Sequence, residues 1–294
     1  MESRSARKTP KKEMKRLDPE TVDKFRSTIG EYYMRHGRQL PWRTTNDPYE
    51  IMVSEFMLQQ TQVQRVASKY QSFLRRFPNV ESLAAAALAD ILASWSGLGY
   101  NRRALALART AKLLVARFDG IVPASAEELA RLPGIGPATA GAICAFAFNL
   151  PVVFVETNIR TVFIHFFFRD AKAVHDKEIA ALVEQTLDRA DPRRWYYGLM
   201  DYGVMLKGQG SKVHAKSVHY RRQGKFDDSD RQIRGRLIRA VVLERVANVN
   251  RLVQIVSKDP RRALEMLDAL IDEGFLRRSG DLISVADAAG QEMR

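Results

Sequence analysis

The chain contains a single cysteine, Cys144, in 294 residues. One thiol cannot close an internal disulfide, complete a cysteine-rich zinc site or hold an iron–sulfur cluster. Cys144 sits in the apolar run Ala142-Ile143-Cys144-Ala145-Phe146, where a small buried hydrophobe is expected. Scarce cysteine fits a reducing compartment. Long apolar runs are also missing. None approaches the roughly 20 residues of a membrane span, so no membrane association is expected. Met1 to Lys15 is basic and polar without an apolar segment, so no signal peptide is expected there; residues 1–19 read as a disordered basic tail. Acidic residues are in deficit: 34 Asp and Glu face 47 Lys and Arg, for a net charge of +13. That excess favours a polyanionic partner, although a merely solvated basic surface gives the same number.

What is present is helical. Hydrophobic residues make up 46% of the chain, enough for a sizeable core. Helical patterns run from Asp18-Pro19 to about Arg35, from Tyr49 to Phe73, from Ser82 to Trp95 and from Asn101 to Phe118. A capping box at Ser125-Ala126-Glu127-Glu128 opens a short helix. Pro137 is placed for the first turn of the next one, which extends to about Phe148. Thr157 to Phe168, Asp176 to Arg189 and Trp195 to Leu206 complete a large helical unit. Residues 207–229 are basic and polar and read as a linker. From 230 to 294, three helices (Ser229 to Val246, Val249 to Val256, Pro260 to Glu273) precede two short strands, Phe275 to Arg278 and Leu282 to Val285. That order suggests a winged-helix-like α+β domain.

Three features carry chemistry. Leu132-Pro133-Gly134-Ile135-Gly136 lies between two helices. Its glycines let backbone N–H groups approach a ligand, and the following helix start adds its own, so the turn can seat a phosphate; a plain helix–helix turn has the same look. Glu55 is a carboxylate among apolar residues, with Gln59 four positions on. Such a glutamate either caps or pairs, or is held partly desolvated as a general acid. Glu156 follows the apolar segment Pro151 to Val155 where a helix begins. There it serves the helix dipole or a reaction centre.

Read in order, Leu40-Pro41-Trp42-Arg43, Ser54-Glu55, Met57-Leu58-Gln59-Gln60-Thr61-Gln62-Val63, Gly97-Leu98-Gly99-Tyr100, Leu132 to Gly136, Thr139 to Ile143 and Asn158 form a series. It closely resembles the MutY-type adenine glycosylases of the helix-hairpin-helix (HhH-GPD) superfamily, over roughly residues 20 to 206. The resemblance implies an all-α, two-lobed glycosylase core acting on double-stranded DNA that holds a mispaired or damaged base. It implies roles position by position. Glu55 matches the general acid that protonates the departing adenine at N7. Glu156 matches a catalytic carboxylate supporting the oxocarbenium ion, and Asn158 a residue arranging that site. Trp42, Arg43 and Leu58 match the pocket for the flipped base. Gln59, Gln60 and Thr61 match DNA-binding positions, Gln60 and Thr61 at the opposite, damaged or mispaired base. Tyr100 matches an aromatic wedge, and Gly134, Gly136 and Thr139 the phosphate-binding hairpin.

The sequence departs from the family at four places. Ala138 stands where bifunctional relatives carry a Schiff-base lysine, so no lyase step is expected. The four-cysteine cluster motif that would follow Met205 is missing, so the iron–sulfur cluster is expected to be absent; Lys207, Lys212, Lys216, Arg221 and Arg222 stand in its place. A monovalent cation under the hairpin carbonyls is the one cofactor left open, with no metal ligands assigned. Glu156 replaces an aspartate, and one added methylene moves the carboxylate by roughly 1.5 Å. The C-terminal part is too short for a Nudix-like domain. The expectation is a monomeric, cytoplasmic (nucleoid-associated in a prokaryote) monofunctional glycosylase for adenine opposite guanine or 8-oxoguanine. A thymine or uracil mismatch glycosylase and a non-catalytic DNA-binding protein stay open beside it.

Overall fold

The computed structural model describes residues 16–211, 213–218 and 224–286. Most of the expected basic tail, together with Lys212, Arg221 and Arg222, lies outside the described residues. Helices α1 (Pro19–His36), α2 (Pro48–Leu58), α3 (Val63–Arg76), α4 (Val80–Ala85) and α5 (Leu88–Trp95) come first. They are followed by α6 (Arg102–Phe118), α7 (Ala126–Ala130), α8 (Pro137–Phe148), α9 (Thr157–Phe167), α10 (Asp176–Thr186) and α11 (Pro192–Gly208). The chain ends with α12 (Asp230–Glu244), β1 (Val246–Asn248), α13 (Val249–Val256), α14 (Pro260–Asp272), β2 (Leu276–Ser279) and β3 (Leu282–Val285).

Local chemistry sets many of these boundaries. Asp18 caps α1 by accepting the Thr21 N–H at 2.8 Å, with Pro19 in the first turn. Asp47, Ser229 and Asp259 cap α2, α12 and α14 in the same way. Ser125 caps α7 through the Glu128 N–H. Gly274, at φ 83°, follows the end of α14.

Two compact units result: Met1–Arg38 with Pro151–Arg221, and Gln39–Leu150 with Arg222–Arg294. In the first, α1, α9 and α11 pack around Phe25, whose ring meets Phe163, Phe167 and Trp195 edge-on at 5.0–5.6 Å between centroids. Asp201, almost fully buried on α11, takes Arg38 Nε at 2.6 Å and the Arg38 N–H at 2.8 Å. In the second unit, α2 and α8 are apolar on nearly every side and pack against each other. Cys144 lies fully buried in α8, and burial pushes its thiol up to about 11, as suits a structural side chain. The three strands make an antiparallel sheet in the order β1-β3-β2, with Ala247 opposite Ile283 and Arg278 opposite Ile283 on the other side.

Several expectations need correction. The pattern from Tyr49 to Phe73 is two helices, because the chain leaves the helix at Gln59 (ψ 113°) and Gln60 (φ 54°). Gln59 therefore does not continue the face of Glu55. The pattern from Ser82 to Trp95 likewise divides into α4 and α5 at Ala86 and Ala87, both extended. The expected linker is partly built into the first unit. α11 runs on through Gly208, and Val174 bridges to Ser217 through Val174 N–H to Lys216 O (3.0 Å) and Val218 N–H to Val174 O (3.2 Å). The C-terminal segment belongs to the same compact unit as residues 39–150. There Glu273 pairs with Arg102 of α6 and Arg234 of α12, each at 2.6 Å. Finally, the sheet has a strand the sequence pattern does not announce. Arg245, at φ 63°, breaks α12 and lets Val246–Asn248 join β3.

Candidate active site and anion-binding loops

The second unit gathers most of the candidate residues on two loops and a hairpin, and one side chain the sequence reading missed holds the loops together. Arg103, buried in the first turn of α6, donates through Nη1 to the carbonyls of Phe56 (2.9 Å), Met57 (2.8 Å) and Gln59 (2.5 Å). Its Nη2 donates to Thr61 Oγ1 (2.9 Å), Gly99 O (2.9 Å) and Leu98 O (3.3 Å). No carboxylate approaches it among these contacts. A fixed cation stands at the C-terminal, negative end of the α2 dipole and binds carbonyls that a further helical turn would use. This is why α2 stops at Leu58. Burial pulls the guanidinium down to about 10, so it stays protonated at neutral pH. The signal in the sequence is faint: Arg102-Arg103 reads as a solvated basic pair.

The arrangement presents Gln60 outward and half-exposes Tyr100, both in left-handed backbone (φ 54° and 48°). A bulky residue in that region is strained by about 1 kcal/mol or more and persists only when its surroundings impose it. Here the Arg103 contacts on either side do so. Thr61 Oγ1 also donates to Leu98 O at 3.2 Å, joining the loops directly.

The hairpin is pinned from below. Gly134 has φ 76°, and a Cβ there would stand 2.6 Å from Ala106 Cβ and 2.9 Å from the Phe56 ring. Glycine is thus required twice, for conformation and for close approach. Thr110, buried on α6, donates to Pro133 O at 2.9 Å, and Gln59 Nε2 reaches Gly134 O (3.1 Å) and Thr139 Oγ1 (3.4 Å). Gly136 is the N-cap of α8, and no side chain caps that end. Exposed Gly134 and Gly136 with an uncapped helix start form an anion seat suited to a phosphate oxygen.

Glu55 lies half-buried near the end of α2 between fully buried neighbours, Ser54 and Phe56. Leu58 and Arg43 are half-buried. Trp42 is a core side chain, 5% exposed, packed edge-on against Tyr70 at 5.6 Å.

Glu156 and Asn158 belong to the first unit. Glu156 is the N-cap of α9. Its Oε1 accepts the N–H groups of Asn158 (2.5 Å) and Ile159 (2.9 Å), and its Oε2 takes Asn158 Nδ2 at 3.3 Å. The extra methylene relative to aspartate is thus used to curl the carboxylate back over its own helix start. Lys207 Nζ donates to Asn158 Oδ1 at 2.7 Å. Gly203 makes that reach possible. A Cβ there would stand 2.7 Å from Asn158 O, so α11 lies close on α9, and Lys207, one turn on, shares the face. Burial raises the Glu156 carboxyl, opposed by the two N–H donors and the Lys207 charge, while burial lowers the Lys207 ammonium.

The residues after Met205 do not fit an iron–sulfur cluster. Lys207 is engaged with Asn158, Lys216 bonds the Arg169 carbonyl, and the one cysteine of the chain is buried in α8.

Residues 53–188 match the HhH-GPD superfamily base excision DNA repair proteins. The adenine DNA glycosylase of Mycolicibacterium smegmatis is 31% identical over 277 residues, 85% of this chain and 92% of that protein. The adenine DNA glycosylase of Buchnera aphidicola (subsp. Baizongia pistaciae) is 40% identical over 187 residues, 62% of this chain but 52% of that protein. The chain thus spans about half the length of the Buchnera protein. Among solved structures, a thermostable thymine-DNA glycosylase superposes with a TM-score of 0.58 at 26% identity, covering 63% of this chain and 87% of that one. An endonuclease III–DNA covalent intermediate gives 0.54 at 17%, with 63% and 85% covered, a likeness of fold alone. With its helical lobes, glycine hairpin and near full-length match to the mycobacterial protein, the chain belongs to the HhH-GPD superfamily of base excision DNA repair proteins.

Proposed function

We propose that the protein is a monofunctional DNA glycosylase that hydrolyses the N-glycosidic bond of adenine mispaired with guanine or 8-oxoguanine. The observation that carries this reading is the near end-to-end similarity to the mycobacterial adenine DNA glycosylase. In the proposed reaction Glu55 gives its proton to N7 of the flipped adenine. The C1′–N9 bond breaks with its electron pair passing to the base, which leaves neutral. The Glu156 carboxylate, with Asn158 and Lys207 setting its position and charge, supports the positive sugar until water adds at C1′ and gives up its proton to the Glu55 carboxylate. Gln60, Thr61 and Tyr100 hold the gap and the opposite base, and the hairpin with Thr139 takes a backbone phosphate. Arg43 and Leu58, both half-buried, line the pocket for the flipped base; Trp42, expected beside them, is a core side chain instead. Ala138, at the start of α8, supplies no amine for a Schiff base, so the product is an intact abasic strand. The enzyme works as a cytoplasmic monomer, nucleoid-associated if its source is prokaryotic, and without an iron–sulfur cluster.

A second reading, removal of thymine or uracil, is favoured by the superposition on the thymine-DNA glycosylase. One panel separates them. Labelled duplexes with A·G, A·8-oxoguanine, G·T and G·U are incubated with wild type and Glu55→Gln, then treated with alkali. The expected result is alkali-dependent cleavage at adenine, absent in Glu55→Gln, with DNA affinity within a few-fold of wild type. Cleavage at G·T or G·U alone establishes the second reading. Borohydride trapping of a covalent adduct overturns the monofunctional assignment.

A further inference from the structure

Away from Glu55, the second unit carries a groove of about 920 Å³ between α12 and the loop from Ser96 to Asn101. Its volume is in the range of ligand-binding sites. Its lining contains arginines from both walls and no aspartate or glutamate. Glu273 neutralises Arg102 and Arg234, and Arg103 is spent on carbonyls. Arg65 of α3 and Arg231, Arg236 and Arg239 of α12 have no carboxylate partner among the described residues. Arg231 instead donates to the Tyr100 hydroxyl at 2.6 Å, and its guanidinium lies 5.2 Å from the Tyr100 ring centroid and 5.1 Å from that of Phe226. Phe226 is 53% exposed and Leu243, further along α12, is 72% exposed. A file of unneutralised guanidiniums beside two accessible aromatic rings is the chemistry that binds an unstacked polynucleotide: phosphates to arginine, bases to the rings.

We propose that this groove binds the DNA strand opposite the excised base, so that α12 completes a strand channel that the glycosylase core forms only on one side. The choice of strand rests on the reading of Gln60 and Tyr100 as facing the opposite base, since both line the groove. Arg65 and Arg239 contact phosphates from the two walls. Phe226 and the Arg231–Tyr100 pair stack against nucleotides next to the mispair.

The test uses the full chain with Glu55→Gln in every protein, so that footprints report binding alone. Hydroxyl-radical footprints of an A·G duplex, each strand labelled in turn, are compared for the parent, Arg65→Ala/Arg239→Ala and Phe226→Ala. Arg65 and Arg239 are exposed, so the double variant is expected to melt with the parent; Phe226→Ala gives an independent, uncharged probe. Both variants should lose protection on the strand opposite adenine and keep it on the adenine strand. The double variant should also lower the magnitude of the salt slope of binding by about 0.9 for each arginine. Unchanged footprints, as expected if the groove serves an acidic protein, overturn the proposal. So does equal loss on both strands, or loss on the adenine strand alone. If the footprints behave as expected but wild type releases no adenine, the strand assignment holds and the proposed activity fails.

Discussion

Replacing Arg103 with alanine tests the idea that one buried cation sets the geometry of both loops. The guanidinium satisfies acceptors at Phe56, Met57, Gln59, Thr61, Leu98 and Gly99 at 2.5–3.3 Å. Hydrogen bonds to a charged group contribute about 1.5–3 kcal/mol each, but their sum overstates the loss, because water enters the space and the loops relax. Breaking a buried charged network costs about 3–5 kcal/mol in practice. A domain of this size shifts by about 2–4 °C per kcal/mol, so the melting temperature should fall by on the order of 10 °C. Gln60 and Tyr100 would also lose the contacts that impose their left-handed backbone. A displacement of about 1 Å at a reacting centre costs on the order of a hundredfold in rate. Calorimetry gives the first quantity, and single-turnover base release, measured well below the lowered transition, gives the second. Arg103→Lys keeps the charge but not the planar fork and should fall between wild type and alanine. An alanine variant that melts with wild type and releases base at the wild-type rate would refute the argument.

Three further outcomes are expected. Lys207→Met removes the charge that opposes burial at Glu156, so the carboxyl should rise further and the acid limb of the single-turnover rate move to higher pH; an unmoved limb would separate Lys207 from the site. Glu273, held down to about 2 chiefly by the Arg102 hydrogen bond and secondarily by Arg234, contributes stability that is full above its unfolded value of about 4.3 and lost as pH falls toward 2. Glu273→Gln should therefore lower stability at pH 7 by about 1 kcal/mol, after allowance for solvent screening, and leave it unchanged near pH 2; urea titrations at the two pH values check this. Gly134→Ala meets both a positive φ and a Cβ 2.6 Å from Ala106, and should cost about 2 kcal/mol and weaken phosphate-dependent DNA binding, whereas a fully stable, tightly binding variant would dispense with the pinned hairpin.

The sequence by itself determined a great deal. Capping aspartates and serines, prolines in first turns and glycines at stops are local chemistry, so most helices lie close to where their residues place them. The Leu132 to Gly136 turn, Glu55 beside buried neighbours and Glu156 at a helix start are legible for the same reason. Tertiary structure decided what local pattern cannot encode. The amphipathic pattern from Tyr49 to Phe73 is interrupted only by the polar run Gln59 to Gln62, yet the helix breaks there because a guanidinium some forty residues on claims its carbonyls. Arg103 and Lys207 look like surface charges in a basic chain. Their roles appear only when Phe56 and Leu98 come within hydrogen-bonding reach of Arg103, and when Gly203 lets Asn158 come within reach of Lys207. The C-terminal segment has apolar faces that suit an independent domain, but Glu273 ties it to α6 by accepting from Arg102 at its carboxylate and from Arg109 at its carbonyl. Such contacts join residues up to 171 positions apart, and no periodicity within one segment can announce a partner that lies in another.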